Sequence, residues 1–144
     1  MTLLLLLTLT TKDPTLDRIQ PPEPLRFVYL CECTGVYDGD TITASIDLGL
    51  NVTLHKQKLR LYGIDTPELR GEDRIAGLKA RDHLRALILS REGLLVQTLK
   101  DKTGKYGRWL AIIWRRSDPD DPDSPLVNVN LEMIRSGHAK ERYY

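Results

Sequence analysis

The feature that most constrains the fold of this sequence is a series of short β-rich segments separated by strong turn signals. Asp38-Gly39 follows the first segment and Asp47-Leu48-Gly49 follows the second, and both sequences are typical of tight turns between strands. Pro67 disfavours helix immediately after the third segment. The predicted strands span residues 27–37, 40–46, 52–63, 94–99 and 108–114.

Two helical patterns accompany these strands. The longer one covers residues 73–90, with acidic residues at its start and Gly93 just past its end. The shorter one runs from Asn128, a favourable N-cap, to Ser136, and Gly137 can end it. The residues predicted to face the core are Ala76, Ala80, Leu84, Leu87 and Ile88 in the longer helix and Val129, Met133 and Ile134 in the shorter one.

The order of elements is three strands, a helix, two strands and a second helix, which predicts an α+β fold that is mainly β. Five short strands with a helix after the third fit a five-stranded OB-type barrel with two helices. A chain of 144 residues suits one such domain, which we place at residues 27–144. The stretch before it is polar and contains proline, so residues 1–26 are interpreted as an N-terminal extension or linker.

The extension starts with an unbroken leucine run from Leu3 to Leu7. No lysine or arginine precedes the run, an Ala-x-Ala cleavage site is absent, and the run is too short to cross a bilayer. We therefore predict no transmembrane segment and no convincing signal peptide. The run is either a poor signal-peptide candidate or a strand or tail that packs locally, and the localisation of the protein stays open.

The formal net charge of +1 argues against a protein held on nucleic acid by overall charge alone. Any contact with nucleic acid must then come from local basic clusters, each of which by itself is more typical of a solvated surface. The clusters are Lys56–Lys58–Arg60, Lys100–Lys102–Lys105–Arg108 and Arg135–Lys140–Arg142.

The two cysteines, Cys31 and Cys33, lie on one predicted strand with a single residue between them. Their side chains share a face of the strand in a geometry that is poor for a relaxed disulfide. We predict two small, partly buried residues, because no histidine is close enough in sequence to complete a zinc site.

Three segments carry charged residues close to the ends of predicted strands. Each segment alone is compatible with an ordinary turn beside a strand, but their occurrence together and in this order is far more specific. The segments are residues 36–41 (Val-Tyr-Asp-Gly-Asp-Thr), residues 60–68 (Arg-Leu-Tyr-Gly-Ile-Asp-Thr-Pro-Glu) and residues 105–111 (Lys-Tyr-Gly-Arg-Trp-Leu-Ala).

Through these segments the chain resembles the staphylococcal nuclease, or thermonuclease-like, family. The shared signatures are Asp-Gly-Asp-Thr, Arg-x-x-x-x-Asp-Thr-Pro-Glu and Tyr-Gly-Arg-x-Leu-Ala, and the resemblance extends from about Val28 to the end of the chain. It implies a calcium-dependent phosphodiesterase that hydrolyses DNA, RNA or both with little sequence specificity. The 5′-oxygen would leave and 3′-phosphate ends would form.

The same resemblance implies a metal site. Asp40 and Asp65 would bind calcium together with the backbone carbonyl of Thr66, and Asp38 would orient metal-bound water. The residue types agree with this assignment, because calcium prefers several oxygen ligands and a cation relieves the repulsion between crowded carboxylates.

The resemblance also implies the residues that contact the substrate. Arg60 and Arg108 would clamp the phosphate, since a guanidinium offers paired donors to phosphate oxygens. Glu68 would act as general base for the attacking water, or would position that water. Substrate-binding roles are implied for Lys105 and Tyr106 at a neighbouring phosphate and for Tyr143 at a base.

Two functional hypotheses follow. In the first, the chain is a nuclease, acting on nucleic acid as a monomer, and the family suggests secretion. In the second, it is a non-catalytic OB module that binds nucleic acid or protein. Degenerate modules usually lack the catalytic residues, whereas the complete set implied by the resemblance is present here, which favours the enzyme.

Overall fold

A computed structural model of the chain describes residues 27–100 and 109–144. Within these ranges short strands alternate with two α-helices and one 3-10 turn over Gly71–Asp73. In chain order the elements are β1 (Val28–Asp38), β2 (Thr41–Gly49), β3 (Val52–Leu61), β4 (Ile64–Asp65), α1 (Arg74–Ile88), β5 (Leu94–Leu99), β6 (Trp109–Arg116), β7 (Leu126–Asn128), α2 (Val129–Arg135) and β8 (Lys140–Glu141).

Five of these strands close into a barrel. β1 pairs antiparallel with β2 and β5, β2 pairs with β3, and β5 pairs with β6. A parallel pairing of β3 with β6 completes the ring and sets Leu59 opposite Trp109 and Arg60 opposite Leu110. The predicted mainly β fold, a five-stranded OB-type barrel with two helices, is confirmed.

The longer helix ends within two residues of its predicted bounds, but one part of its buried face was predicted wrongly. Ala80, Leu84 and Ile88 are fully buried and Leu87 packs against the core, as expected. Ala76 is exposed, however, and the neighbouring Gly77 is buried in its place. Gly77 faces inward because the loop that precedes the helix lies directly against it.

The second helix confirms its predicted N-cap. The side chain of Asn128 accepts a hydrogen bond from the backbone N–H of Leu131 at 3.1 Å, and this satisfies one of the donors that a helix leaves unpaired at its N-terminus. Val129 and Met133 are fully buried and Ile134 is partly buried, as predicted. Asn130 and Leu131 are also buried, which the apolar pattern did not indicate.

The C-terminal residues form an element that the sequence did not predict. β8 pairs antiparallel with β4, so that Asp65 lies opposite Lys140. Beyond it the ring of Tyr144 stacks on Tyr62, with the ring centroids 5.1 Å apart. The end of the chain is thereby held beside Asp65.

Both cysteines are free, as predicted, and they are buried more completely than the partial burial that was expected. Burial, together with the neighbouring thiol, raises the pKa of Cys31 to about 12, and burial raises the pKa of Cys33 to about 11. Because the thiolate is the reactive form, both groups are expected to be inert near neutral pH.

No helix in the described part of the chain is long and apolar enough to cross a membrane. The leucine run and the extension predicted for residues 1–26 lie outside the described residues, and the division of the chain at residue 27 stays a prediction.

A histidine pair between the two helices predicts a dependence of stability on pH. The rings of His83 and His138 lie 4.5 Å apart, and Nε2 of His83 is buried without a hydrogen-bond partner among the described residues. Burial, the charge of His138 and that of Arg115 lower the pKa of His83, against an opposing effect of Glu132. The unfolded chain therefore binds a proton more readily than the folded one at this position.

The contribution of His83 to the free energy of unfolding is accordingly expected to decrease as the pH falls below about 6.5, the ordinary pKa of a histidine, while Asp38, with its raised pKa, contributes in the opposite direction. The pH dependence should weaken in His83→Gln and persist in His55→Gln, which removes a histidine on the exposed part of β3. Urea unfolding of the three proteins between about pH 5 and pH 7 measures this difference. Parallel curves for His83→Gln and the wild type would contradict it.

Candidate functional site

Gly39 lets two distant segments of the sequence meet. A Cβ atom at this position would lie 2.7 Å from Cγ2 of Thr66 and 2.9 Å from Cβ of Ala80 in α1. Only glycine leaves room for this approach, which explains the glycine of the Asp-Gly-Asp sequence better than turn conformation alone. The β1–β2 turn is thereby packed against the loop after β4.

Asp40 follows this glycine and is almost completely buried, with 5% of its surface exposed. Its Oδ2 accepts a hydrogen bond from the backbone N–H of Thr66 at 3.0 Å, and its own carbonyl accepts one from Leu61 at 2.8 Å. Asp40 thus joins the start of β2 to the end of β3 and to the loop after β4.

Arg60 bridges the two predicted metal-binding carboxylates. Its Nη1 lies 3.1 Å from Oδ1 of Asp40, and its Nη2 donates both to Oδ1 of Asp65 and to the carbonyl of Ile64. Burial by itself lowers the pKa of Arg60, but the charges of Asp40 and Asp65 outweigh it and raise the pKa. The guanidinium, only 8% exposed, is permanently charged and fixed in direction.

Asp38 supports Asp40 from the end of β1. Its Oδ1 accepts a hydrogen bond from the backbone N–H of Asp40 at 3.1 Å. Partial burial and the adjacent charge of Asp40 raise the pKa of Asp38 to about 6. A carboxylate so close to Asp40 contributes to the negative potential of the cluster.

Glu68 lies exposed on the loop that leads from β4 to α1, and the first part of α1 holds this loop in place. A Cβ atom on Gly77 would lie 2.8 Å from the carbonyl oxygen of Pro67 and would contact the carbonyl of Glu68. The glycine therefore allows the helix to approach the backbone that carries Glu68.

Replacing Gly77 with alanine is expected to lower the melting temperature, because three backbone atoms of Pro67 and Glu68 would lie less than 3.0 Å from the new Cβ atom and must shift. Alanine favours a helix by about 1 kcal/mol relative to glycine, which offsets only part of this strain. Ala76→Gly, at the exposed neighbouring position, is the reciprocal control and should lower the stability by about 1 kcal/mol. A melting temperature of Gly77→Ala above that of the wild type would contradict the role of this contact.

Three of the predicted site residues, Lys105, Tyr106 and Arg108, lie outside the described residues, so their roles stay predictions. Tyr143 is 71% exposed on the C-terminal segment, and its hydroxyl donates to Glu141 at 3.1 Å. This segment runs beside Asp65 through the pairing of β8 with β4. Tyr143 therefore directly follows the residue of this segment, Arg142, that reaches Asp65.

Two residues that the sequence analysis did not assign to the site also shape it, although Arg142 was named as part of a basic cluster. Arg142 lies with Nη1 3.2 Å from Oδ1 of Asp65, so that two arginines share this carboxylate. Asn130 is fully buried and donates from Nδ2 to the carbonyls of Tyr62 and Ala111, both at 2.9 Å. Polarity at a buried helix position was the available signal for Asn130, but no local pattern indicates its partners.

The carboxylates of Asp40 and Asp65 are oxygen donors of the type that a hard divalent cation prefers. Both carboxylates lie within reach of one guanidinium, and the backbone of Thr66 is hydrogen-bonded to Asp40. The buried hydroxyl of Thr66 has no hydrogen-bond partner within the described residues. Among residues 27–100 and 109–144 there is no group of three or more His, Cys, Asp or Glu side chains that could hold a metal ion. Ligands other than Asp40 and Asp65 would therefore have to come from the backbone, water or a substrate.

The sequence of this chain is similar to one protein family and to individual proteins of two bacteria. Residues 58–144 match the model of a family described as staphylococcal nuclease homologues. The chain is 30% identical over 116 residues to a micrococcal nuclease of Shigella flexneri, in an alignment that covers 78% of this chain and 59% of that protein. It is 34% identical over 110 residues to Protein ParB of Escherichia coli, covering 75% of this chain and 54% of that protein. The chain thus spans less than two thirds of the length of either relative.

Proposed function

This chain belongs to the staphylococcal nuclease family, and we propose that it is a calcium-dependent nuclease that hydrolyses DNA or RNA with little sequence specificity. One observation carries the proposal: a buried arginine is held between two aspartates, Asp40 and Asp65, next to the loop that carries Glu68. A fixed guanidinium, a pair of carboxylates and a carboxylate exposed to solvent are the groups that phosphodiester hydrolysis requires.

We assign calcium to the oxygen atoms of Asp40, Asp65 and the backbone carbonyl of Thr66. When bound, such a cation neutralises charge on a phosphate oxygen and favours ionisation of water. Arg60 and the backbone N–H of Thr66 hold the two carboxylate oxygens of Asp40, which keeps the carboxylate from turning away. Asp38 holds the backbone N–H of Asp40.

The protein's own residues supply the rest of the chemistry. Arg60 stabilises the charge that builds up on the phosphate oxygens as a fifth bond forms to phosphorus. Glu68 accepts a proton from the attacking water, the bond between phosphorus and the 5′-oxygen breaks, and that oxygen takes up a proton from solvent. The products are a 3′-phosphate and a 5′-hydroxyl.

The pairing of β3 with β6 supports a second phosphate contact from Arg108. Trp109, which follows Arg108, lies opposite Leu59, which precedes Arg60. Adjacent strands lie about 4.8 Å apart, so the start of β6 lies beside Arg60. Arg108 directly precedes β6 in the sequence, and on the family resemblance we propose that it contacts the same phosphate as Arg60.

Calcium binding by isothermal titration tests the metal assignment without relying on activity. Asp65→Asn removes a charged ligand from a half-exposed position, and it is expected to weaken calcium binding about tenfold or more. The matched control is Asp82→Asn, which changes an exposed aspartate of α1 that pairs only with Arg81 and Arg85 among the described residues. Equal affinities in the wild type and Asp65→Asn would contradict the assignment.

The alternative is a non-catalytic module that binds nucleic acid or protein. The cleavage of single-stranded and plasmid DNA in calcium, in magnesium and in chelator distinguishes the two hypotheses. The nuclease is expected to cut only in the presence of calcium. A folded wild-type protein that binds DNA and never cuts it would establish the module instead.

A further inference from the structure

A small open pocket adjoins the arginine–aspartate cluster on the side of Glu68. It has a volume of about 250 Å³ and is lined by Tyr37, Asp38, Glu68, Leu69 and Arg70. We call it the Tyr37 pocket. Because Glu68 belongs to both the pocket and the proposed catalytic site, a molecule in the pocket would be continuous with the substrate.

The size of the Tyr37 pocket suits a single planar ring. Its volume lies below the roughly 300–1,000 Å³ of pockets that enclose whole drug-sized ligands. Tyr37, at the end of β1, is 72% exposed although it is a large aromatic side chain, and Leu69 is partly buried on the opposite loop. The two side chains offer flat or apolar contact area at the walls of the pocket.

The charges of the Tyr37 pocket suit a strand of nucleic acid better than a free anion. Asp38 and Glu68 at its wall would repel a phosphate placed inside, but they can accept hydrogen bonds from the amino groups of a base. Arg70 is exposed and supplies the positive charge that an adjoining phosphate needs.

The position of the Tyr37 pocket complements that of Tyr143. Asp38 ties the pocket to Asp40, whereas the segment of Tyr143 runs along Asp65. Tyr37 and Tyr143 are thus exposed aromatic residues on two separate segments, one attached to Asp40 and the other to Asp65. A single strand bound across the cluster would find a ring for stacking on each of these segments.

Resting on the proposed nuclease function, we propose that the Tyr37 pocket is a subsite for a single strand of nucleic acid. One base would stack on Tyr37 against Leu69, and Arg70 would bind the phosphate next to that base. Stacking is tolerant of sequence because every base has a flat face, so the subsite would favour unpaired strands over duplex without reading their sequence.

Kinetics of the full chain on a single-stranded oligonucleotide with one cleavable linkage test the proposal. Tyr37→Val removes the aromatic ring and keeps a residue that favours β-structure. It is expected to raise KM roughly 5- to 50-fold with a much smaller effect on kcat. Tyr37→Trp should restore the low KM, which a purely structural role would not predict. Phe27→Leu, compared with Tyr37→Leu, is the control and should leave KM unchanged. Phe27 is also an exposed aromatic residue just before the opposite end of β1, but its left-handed backbone (φ 58°) would be strained by a β-branched valine.

The salt dependence of KM tests the role of Arg70. Removing one contact to a phosphate of a single strand lowers the slope of log KM against log salt concentration by about 0.7. Arg70→Gln is expected to show this decrease, whereas Arg74→Gln, in the first turn of α1 and outside the pocket, should not. An unchanged slope for Arg70→Gln would remove it from the subsite.

Failure of the subsite and failure of the nuclease are distinguishable. A wild-type protein that cuts the oligonucleotide while Tyr37→Val shows the same KM overturns the subsite alone. A wild-type protein that does not cut overturns the nuclease, and fluorescence anisotropy of a labelled oligonucleotide then still tests the subsite, which predicts weaker binding by Tyr37→Val. If circular dichroism shows that this variant is unfolded, Tyr37→Leu and Arg70→Gln provide the same comparison.

Discussion

Replacing Glu68 with glutamine is expected to lower kcat about 100- to 10,000-fold, the range in which a general base contributes to catalysis. Glutamine has the same shape as glutamate but cannot accept a proton from water at neutral pH. KM should change much less than kcat, because Glu68 contributes only one acceptor to the Tyr37 pocket, whereas its contact with the reacting water is made in the catalytic step itself. Since Glu68 is exposed, the stability should stay within about 0.5 kcal/mol of the wild type.

The matched control for this substitution is Glu72→Gln, which changes an exposed glutamate in the 3-10 turn that follows the same loop. Its kcat should equal that of the wild type. The dependence of kcat on pH provides a second readout, because the limb that reports the base should disappear in Glu68→Gln. A variant that keeps a tenth or more of the activity, with an unchanged pH profile, would mean that Glu68 only positions the water.

The largest expected effect on stability comes from Asn130. Its Oδ1 accepts a hydrogen bond from the backbone N–H of Ile113 at 3.1 Å, and its Nδ2 donates to the carbonyls of Tyr62 and Ala111. Asn130→Ala would leave buried backbone groups unpaired and create a cavity, and it is expected to lower the free energy of unfolding by about 3–5 kcal/mol. Because Tyr62 lies two residues after Arg60, the site should be disturbed as well.

Asn128→Ala is the matched control, since it removes the same type of side chain at the start of the same helix. It is expected to cost only about 1 kcal/mol, the usual contribution of an N-cap. Asn130→Asp keeps the volume and replaces the donor by an oxygen that repels the two carbonyls, so that it separates hydrogen bonding from packing. Urea unfolding measures all three variants, and similar values for Asn130→Ala and Asn128→Ala would contradict the role of Asn130 as a buried clamp.

The elements of this fold were predictable where the signal is local. The turn at Asp38-Gly39, the N-cap at Asn128 and the alternation within the strands each follow from residues close together in sequence. The short strands β4, β7 and β8 were missed because two or three residues carry too little pattern.

The local sequence pattern was not sufficient to predict which face of α1 is buried. Ala76 and Gly77 are adjacent small residues, so helical periodicity alone does not decide which of them faces inward. The contact between Gly77 and the loop at Pro67 and Glu68 decides it, and that contact is tertiary. The same holds for the parallel pairing that closes the barrel between β3 and β6.

For the candidate site, the resemblance to a known family assigned Asp40, Arg60 and Asp65 to one site. The structure places the three side chains in one cluster, in which Arg60 forms ion pairs with both aspartates. The contacts of Arg142 with Asp65 and of Asn130 with Tyr62 were not predicted, because each joins segments that are far apart in sequence. The motif identifies groups that touch a substrate, whereas the residues that hold those groups in place are fixed only by the packing of this chain.

Cleavage of a defined single-stranded oligonucleotide in ¹⁸O-labelled water, followed by mass spectrometry of the fragments, tests the central claim most directly. With calcium present, the account predicts fragments that end in a 3′-phosphate with one labelled oxygen, paired with fragments that start with a 5′-hydroxyl, and no cleavage in chelator. Fragments with 5′-phosphate ends would contradict the proposed leaving group. An oligonucleotide that stays intact while it is bound to the folded protein would contradict the assignment of this cluster as a catalytic site.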